Sequence, residues 1–174
     1  QDDVAKKARD LLLEEKNPET KGKIIVGDSR SVDIYEKLMS LGIKKVQFVI
    51  YHPPYWDIVK FSDNTEDLSN CASLDDFLES FGQIIDNTSQ FLENNRYCAV
   101  VIGDKYANSE IVPLGFYCMN LFIQRGFKLK AILVKNFEET KGKSNQKAIW
   151  RYRALASDFF IFKHEYIFVF KKIK

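Results

Sequence analysis

Proline is scarce in this 174-residue chain, four residues in all, and two of the four stand side by side at positions 53 and 54. The eight glycines are scattered, and no two are separated by a single residue. That spacing excludes the Gly-x-Gly turn through which a backbone approaches a nucleotide's phosphates. The three cysteines, Cys71, Cys98 and Cys118, are odd in number and far apart, which argues against a disulfide framework and against a metal site. They read as reduced thiols of a cytoplasmic protein. No run reaches the ~18 apolar residues of a membrane span, and the opening residues do not read as a secretory leader.

What is present is a globular composition, with 45% hydrophobic and 29% charged residues and length for one substantial core. Net charge is only +2, but it is uneven. From Lys135 to Lys174, ten Lys and Arg face four Asp and Glu, a local +6 that leaves −4 for the remainder. A basic C-terminal third is what contact with a phosphate backbone requires. Within it, Lys141, Lys143, Lys147, Arg151 and Arg153 surround Trp150 and Tyr152, and such interleaving suits backbone and base contact together. A solvated loop has the same composition.

The stretch that organises the chain is Gln47 to Asp57. Val46 to Tyr51 is uncharged and rich in β-branched and aromatic residues, which predicts a strand buried on both faces of a parallel sheet. Pro53 and Pro54 fix two φ angles and remove two backbone donors, so neither strand nor helix continues through them. Their carbonyls stay available as acceptors. In open parallel α/β sheets, ligands sit beyond the carboxyl ends of the strands, where His52, Pro53, Pro54 and Tyr55 fall. This tetrapeptide resembles the signature of the S-adenosylmethionine-dependent amino-methyltransferases of nucleic-acid bases: Asp, Asn or Ser, then Pro-Pro and an aromatic.

The resemblance implies that the side chain at 52 and the carbonyl of Pro53 accept hydrogen bonds from an exocyclic amino group while Tyr55 stacks on an extruded base. An amino nitrogen conjugated with its ring is a poor nucleophile, so acceptors on its hydrogens localise the lone pair toward the methyl donor. Stacking offsets part of the cost of unstacking the base. Position 52 departs from the pattern. A neutral imidazole accepts one hydrogen bond and a protonated one accepts none, so the implied role requires His52 to be neutral.

The order of elements follows from period and punctuation. Asp3 to Glu15 has helical spacing, Asn17-Pro18 breaks it, and Lys23 to Gly27 reads as a short strand closed by Gly27-Asp28-Ser29-Arg30. The resemblance places an acid at this position on the adenine of S-adenosylmethionine, which implies Asp28 and Gly27 as cofactor residues. A plain turn, with Asp28 bonding its own backbone, is the other reading. Ser31 or Asp33 caps a helix to Leu41. Trp56 to Ser73 lacks a period and reads as a loop over the site, in which Tyr55, Trp56 and Phe61 either wall a base pocket or pin the loop to the core. Ser73 and Asp76 begin a helix with a capping box. Arg96 to Gly103 is a second buried strand, ending in Asp104, which holds cofactor or substrate loop or serves the turn. Glu110 to Arg125 reads as a helix with Pro113 near its start and Gly126 past its end, and Phe127 to Val134 as a strand. Phe159 to Phe162 and Glu165 to Phe170 read as a closing hairpin turning at Lys163-His164.

The expected fold is α/β, a Rossmann-like methyltransferase sheet, mostly parallel with a C-terminal antiparallel hairpin and with the first two strands absent from this chain. Residues 1–174 then form a single partial domain, the catalytic half, with a basic target-recognition insertion over about 135–158. The glycine-rich turn that holds the donor in the resembled folds, and the acid that binds its ribose hydroxyls, are not visible, so the donor site is expected to need another segment or a complementary chain. Exposed sheet edges would otherwise pair between copies. The implied activity is methyl transfer to an amino group of adenine or cytosine in DNA, with S-adenosylmethionine as cofactor and Trp56, Lys141, Lys143, Arg151 and Arg153 on the nucleic acid. An RNA amino-methyltransferase and a noncatalytic nucleic-acid-binding subunit are the alternatives.

Overall fold

The protein's structure, a computed structural model, describes residues 2–14, 22–137, 152, 156 and 162–173. It divides into two compact units, Gln1–Lys44 and Lys45–Lys174. The first holds helix α1 (Asp2–Glu14) and helix α2 (Asp33–Ser40). The strand expected over Lys23–Gly27 does not form, because a strand exists through its ladder and these residues have no ladder partner among the described residues. The turn after it does form: Ser31 N–H donates to the Asp28 carbonyl at 3.0 Å, and Ser31 Oγ accepts from Asp33 N–H at 3.1 Å.

The second unit carries the sheet. Strand β1 (Val46–Tyr51) leads through the loop to helix α3 (Leu74–Ser89) and strand β2 (Leu92–Ile102), which lies parallel to β1. The helical crossover is what a parallel pair demands. A small hairpin follows, β3 (Lys105–Ala107) and β4 (Glu110–Val112), turning at Asn108 and Ser109, both at positive φ as a type I′ turn requires. Helix α4 (Leu114–Gln124), strand β5 (Lys128–Asn136) and strand β6 (His164–Lys171) complete the unit. Gly126 just past α4 has φ +82°, the left-handed position that favours glycine after a helix.

Four expectations are corrected here. The sheet order is β1-β2-β6-β5, and only β1–β2 is parallel, so the sheet is mixed and not mostly parallel. β6 enters between β2 and β5 and pairs antiparallel with both. The turn expected at Lys163-His164 does not form, since His164 begins β6; of the strand expected over Phe159–Phe162, residues 159–161 lie outside the described residues. The helix expected from Glu110 starts at Leu114, because Pro113 supplies no amide hydrogen and Glu110–Val112 already pair with β3. Finally, β1 is buried on one face only. Phe48 and Ile50 are 51% and 63% exposed, whereas Tyr51 is buried. An apolar run records what a strand tolerates, but burial on both faces needs a layer on each.

The core lies between the other face of the sheet and helices α3 and α4. Phe77, Phe81 and Ile85 of α3 and Leu114, Cys118 and Phe122 of α4 meet Cys98, Val100 and Ile102 of β2 and Phe168 and Phe170 of β6. Phe122 stacks on Phe170 at 4.7 Å and meets Tyr51 edge-on at 5.1 Å, which ties α4 across the sheet to the end of β1. Ser73 and Asp76 form the capping box at the start of α3. This packing fixes where β1 and β2 end, and hence where the turn beyond them is presented.

Candidate active site

β1 ends at Tyr51, whose hydroxyl lies 2.7 Å from Thr88 Oγ1 of α3. From this buried anchor the chain leaves the sheet as His52, exposed, then Pro53, buried, then Pro54 and Tyr55, both half-buried. Among the described residues no backbone N–H donates to the carbonyl of Pro53 or Pro54. A cavity of ≈ 530 Å³ opens here, lined by His52, Pro53, Pro54, Tyr55, Ile58, Val59, Phe61 and Asp67. Its size falls within the range of small-molecule sites. Its lining is mostly apolar with a few polar residues, which suits a flat heterocycle bearing an amino group.

Tyr55 is fixed at two points. A Cβ on Gly103, just past β2, would stand 2.8 Å from Tyr55 Cε2, so the absence of a side chain there leaves room for the ring. Its hydroxyl donates to Glu165 Oε2 at 2.5 Å, and Lys135 Nζ donates to Glu165 Oε1 at 2.9 Å. Burial, with the hydrogen bond to Glu165 and that carboxylate's charge, pushes the Tyr55 phenol up, so it stays a donor. Burial also works to raise Glu165, but the hydrogen bonds from Tyr55 and Lys135 and the Lys135 charge prevail and hold it below the usual carboxylate range.

Trp56 does not line the cavity. Its Nε1–H donates to the Cys71 carbonyl at 3.0 Å, the Lys105 ammonium sits 3.9 Å from its ring centre, and Lys105 also pairs with Asp57. Trp56 thus pins the loop, while Tyr55 and Phe61 line the cavity. Trp56 does so at φ +51°, a conformation uncommon for a bulky residue and often found beside functional sites. The loop is further tied by Asp67, which accepts from Ser62 Oγ, Ser69 N–H and Ser69 Oγ.

Asp104 is 8% exposed, and both of its oxygens serve the protein: Oδ1 accepts from Gly115 N–H at 3.0 Å and Oδ2 from the Tyr166 hydroxyl at 3.2 Å. The turn role accounts for it, since it joins β2 to the start of α4 and to β6. Asp28, in the first unit, accepts from Arg30 N–H, Nε and Nη2 at 2.9, 3.2 and 3.0 Å. Partial burial works against its charge, but these bonds and the Arg30 charge win and lower its pKa. Beside it, Gly27 faces the Lys37 ammonium and Ile34. Lys141, Lys143, Arg151 and Arg153 lie outside the described residues. Among the described residues, no three His, Cys, Asp or Glu come together as a metal would need, and no helix is long and apolar enough to cross a membrane.

Sequence reasoning missed Gly103, Glu165 and Lys135. The available signal was Glu165 itself, one carboxylate inside the run Glu165-Tyr-Ile-Phe-Val-Phe170, because a charge in a buried strand implies a partner.

A mixed α/β sheet whose parallel pair opens on a Pro-Pro-aromatic cavity defines a methyltransferase-like fold. Residues 46–174 match the family model described as DNA methylase, and the chain belongs to that family. It is similar in structure to TTHA0409 of Thermus thermophilus, assigned as a DNA modification methylase and solved in complex with S-adenosyl-L-methionine. That match has a TM-score of 0.55 at 19% identity, over 86% of this chain and 54% of that one. It is also similar to the PvuII DNA methyltransferase, described as cytosine-N4-specific, with a TM-score of 0.56 at 15% identity over 87% of this chain and 49% of the other. The chain spans about half the length of these solved proteins. No curated protein matches it.

Proposed function

We propose that the protein takes part in methyl transfer from S-adenosylmethionine to the exocyclic amino group of adenine or cytosine in DNA. The observation that carries this reading is the cavity at the end of β1, which His52, Pro53, Pro54 and Tyr55 line together. His52, neutral, and the Pro53 carbonyl accept the two amino hydrogens. Pro53 and Pro54 hold that carbonyl still, since neither φ rotates. Tyr55 stacks on the base, and Ile58, Val59 and Phe61 keep water from its edges. Lys141, Lys143, Arg151 and Arg153 are proposed to contact the phosphate backbone.

The described residues fit the acceptor side of the reaction more fully than the donor side. The donor, when bound, supplies an activated methyl on a sulfonium. Of the groups that would hold it, the described residues present the Asp28 carboxylate, half-exposed and suited to an adenine amino group, with Gly27 beside it. A carboxylate for the ribose hydroxyls and a glycine-rich turn are not found among the described residues. We therefore propose that donor binding needs a further segment or a complementary chain, met at the outer edge of β1, which no other strand covers among the described residues.

The test is transfer of label from S-adenosyl-[methyl-³H]methionine to DNA, together with calorimetry of donor binding. Transfer that Tyr55→Ala abolishes supports the reading. A second reading, a noncatalytic DNA-binding subunit, draws on His52 in place of the signature's acid or amide and on the Asp28 carboxylate's engagement by Arg30. Calorimetry that finds no donor binding, with or without a complementary chain, would establish it.

A further inference from the structure

We infer that Glu165 is the positioning residue for the base-stacking ring: paired with Lys135 across the sheet, it tethers the Tyr55 hydroxyl and sets the angle at which the Tyr55 face meets a nucleobase. The inference rests on the base-site reading above and adds to it a residue from the interior strand β6.

Three observations carry it. Glu165 is 6% exposed in an otherwise apolar stretch, and a carboxylate so placed is costly unless both oxygens are engaged. Both are, by Lys135 and by Tyr55. Lys135 stands directly opposite Glu165 in the β5–β6 ladder, and β6 is an interior strand paired on both sides, so the tether is anchored in the sheet and not in the loop that it restrains. Along the ring's Cδ2–Cε2 flank, Gly103 leaves room for close approach. A tyrosine free at its tip swings about two side-chain torsions, whereas a ring held at flank and tip keeps one orientation before the base arrives. A stacking platform works best when its angle is set in advance.

Satisfying a buried carboxylate is a purely structural role that the same contacts would fulfil, so the test must read ring orientation. A single-stranded oligonucleotide containing 2-aminopurine reports stacking as fluorescence quenching, and an end label on the same strand reports affinity as anisotropy. Neither readout needs the donor or a recognition sequence. Tyr55→Phe and Glu165→Ala are each expected to reduce the quench about threefold, the worth of a modest hydrogen bond. The double variant should lose no more than either alone, because both remove one tether. Affinity should move less than twofold, being set mainly by phosphate contacts. Glu165→Gln, which keeps an oxygen at the same reach, should recover at least half of the quench. If Glu165→Ala does not fold, Glu165→Gln against Tyr55→Phe supplies the comparison, with a partial loss that does not add. Full quenching in Glu165→Ala, or losses that multiply in the double variant, would overturn the positioning role and leave the base site standing. Full quenching in Tyr55→Ala would remove the base site, and the tether with it.

Discussion

At the scale of the residue, the site depends on acceptors and on one ring. His52 provides a single lone pair where a carboxylate would provide several, so His52→Asp is expected to raise turnover in the methyl-transfer assay and His52→Ala to lower it. Unchanged rates in both would remove His52 from the reaction. Gly103→Ala places a methyl against the Tyr55 ring. The expected result is a drop in 2-aminopurine quenching and a stability loss of about 1–3 kcal/mol, as for other overpacked positions, measured by urea denaturation. The Pro-Pro-Tyr turn was legible in the sequence because two prolines leave few conformations and because Pro53 to Tyr55 match a known signature. The tether was not, since Tyr55 and Glu165 are 110 residues apart and nothing local in either segment names the other.

At the scale of the element, the parallel pair β1–β2 with its α3 crossover and the short closing strands present the site. Ser73→Ala removes the cap from Asp76 N–H and is expected to cost about 1 kcal/mol by denaturation, with little effect on the cavity. Phe122→Ala, at the junction of Tyr51, Phe81 and Phe170, should cost about 3–5 kcal/mol. The helices α3 and α4 were readable from apolar period and punctuation. Where the reading failed, pairing decided the outcome. Lys23–Gly27 has strand composition but no ladder among the described residues, Glu110–Val112 has a helical period but pairs with β3, and β6 enters between β2 and β5. Strand partnership is a long-range property, and composition does not encode it.

At the scale of the whole molecule, charge controls both stability and partner. Asp28, Asp67 and Glu165 are all held below the ordinary carboxylate range: Asp67, like the other two, is pushed up by burial but pulled lower by its bonds from Ser69 and Ser62. A carboxylate with a folded pKa below its unfolded one contributes stability in full above the unfolded value and loses it as pH falls through the folded one. Thermal midpoints should therefore decline as pH drops below the 4.5 ordinary for Glu165, and Glu165→Gln should flatten that decline. The basic C-terminal third should give DNA affinity a steep salt dependence. Replacing Lys141 and Lys143 by alanine is expected to reduce the slope of log K against log salt by about 1 for each phosphate that is no longer neutralised. The charge asymmetry was legible in the sequence, and Lys141, Lys143, Arg151 and Arg153, which contribute to it, lie outside the described residues.

The most direct test of the central claim, that the cavity beyond β1 receives a nucleobase by its amino edge, is the position of the transferred methyl. DNA labelled from S-adenosyl-[methyl-³H]methionine by the protein and digested to nucleosides should yield N6-methyladenine or N4-methylcytosine, and none from the Tyr55→Ala variant. Label on a ring carbon, or equal labelling by wild type and Tyr55→Ala, would contradict it.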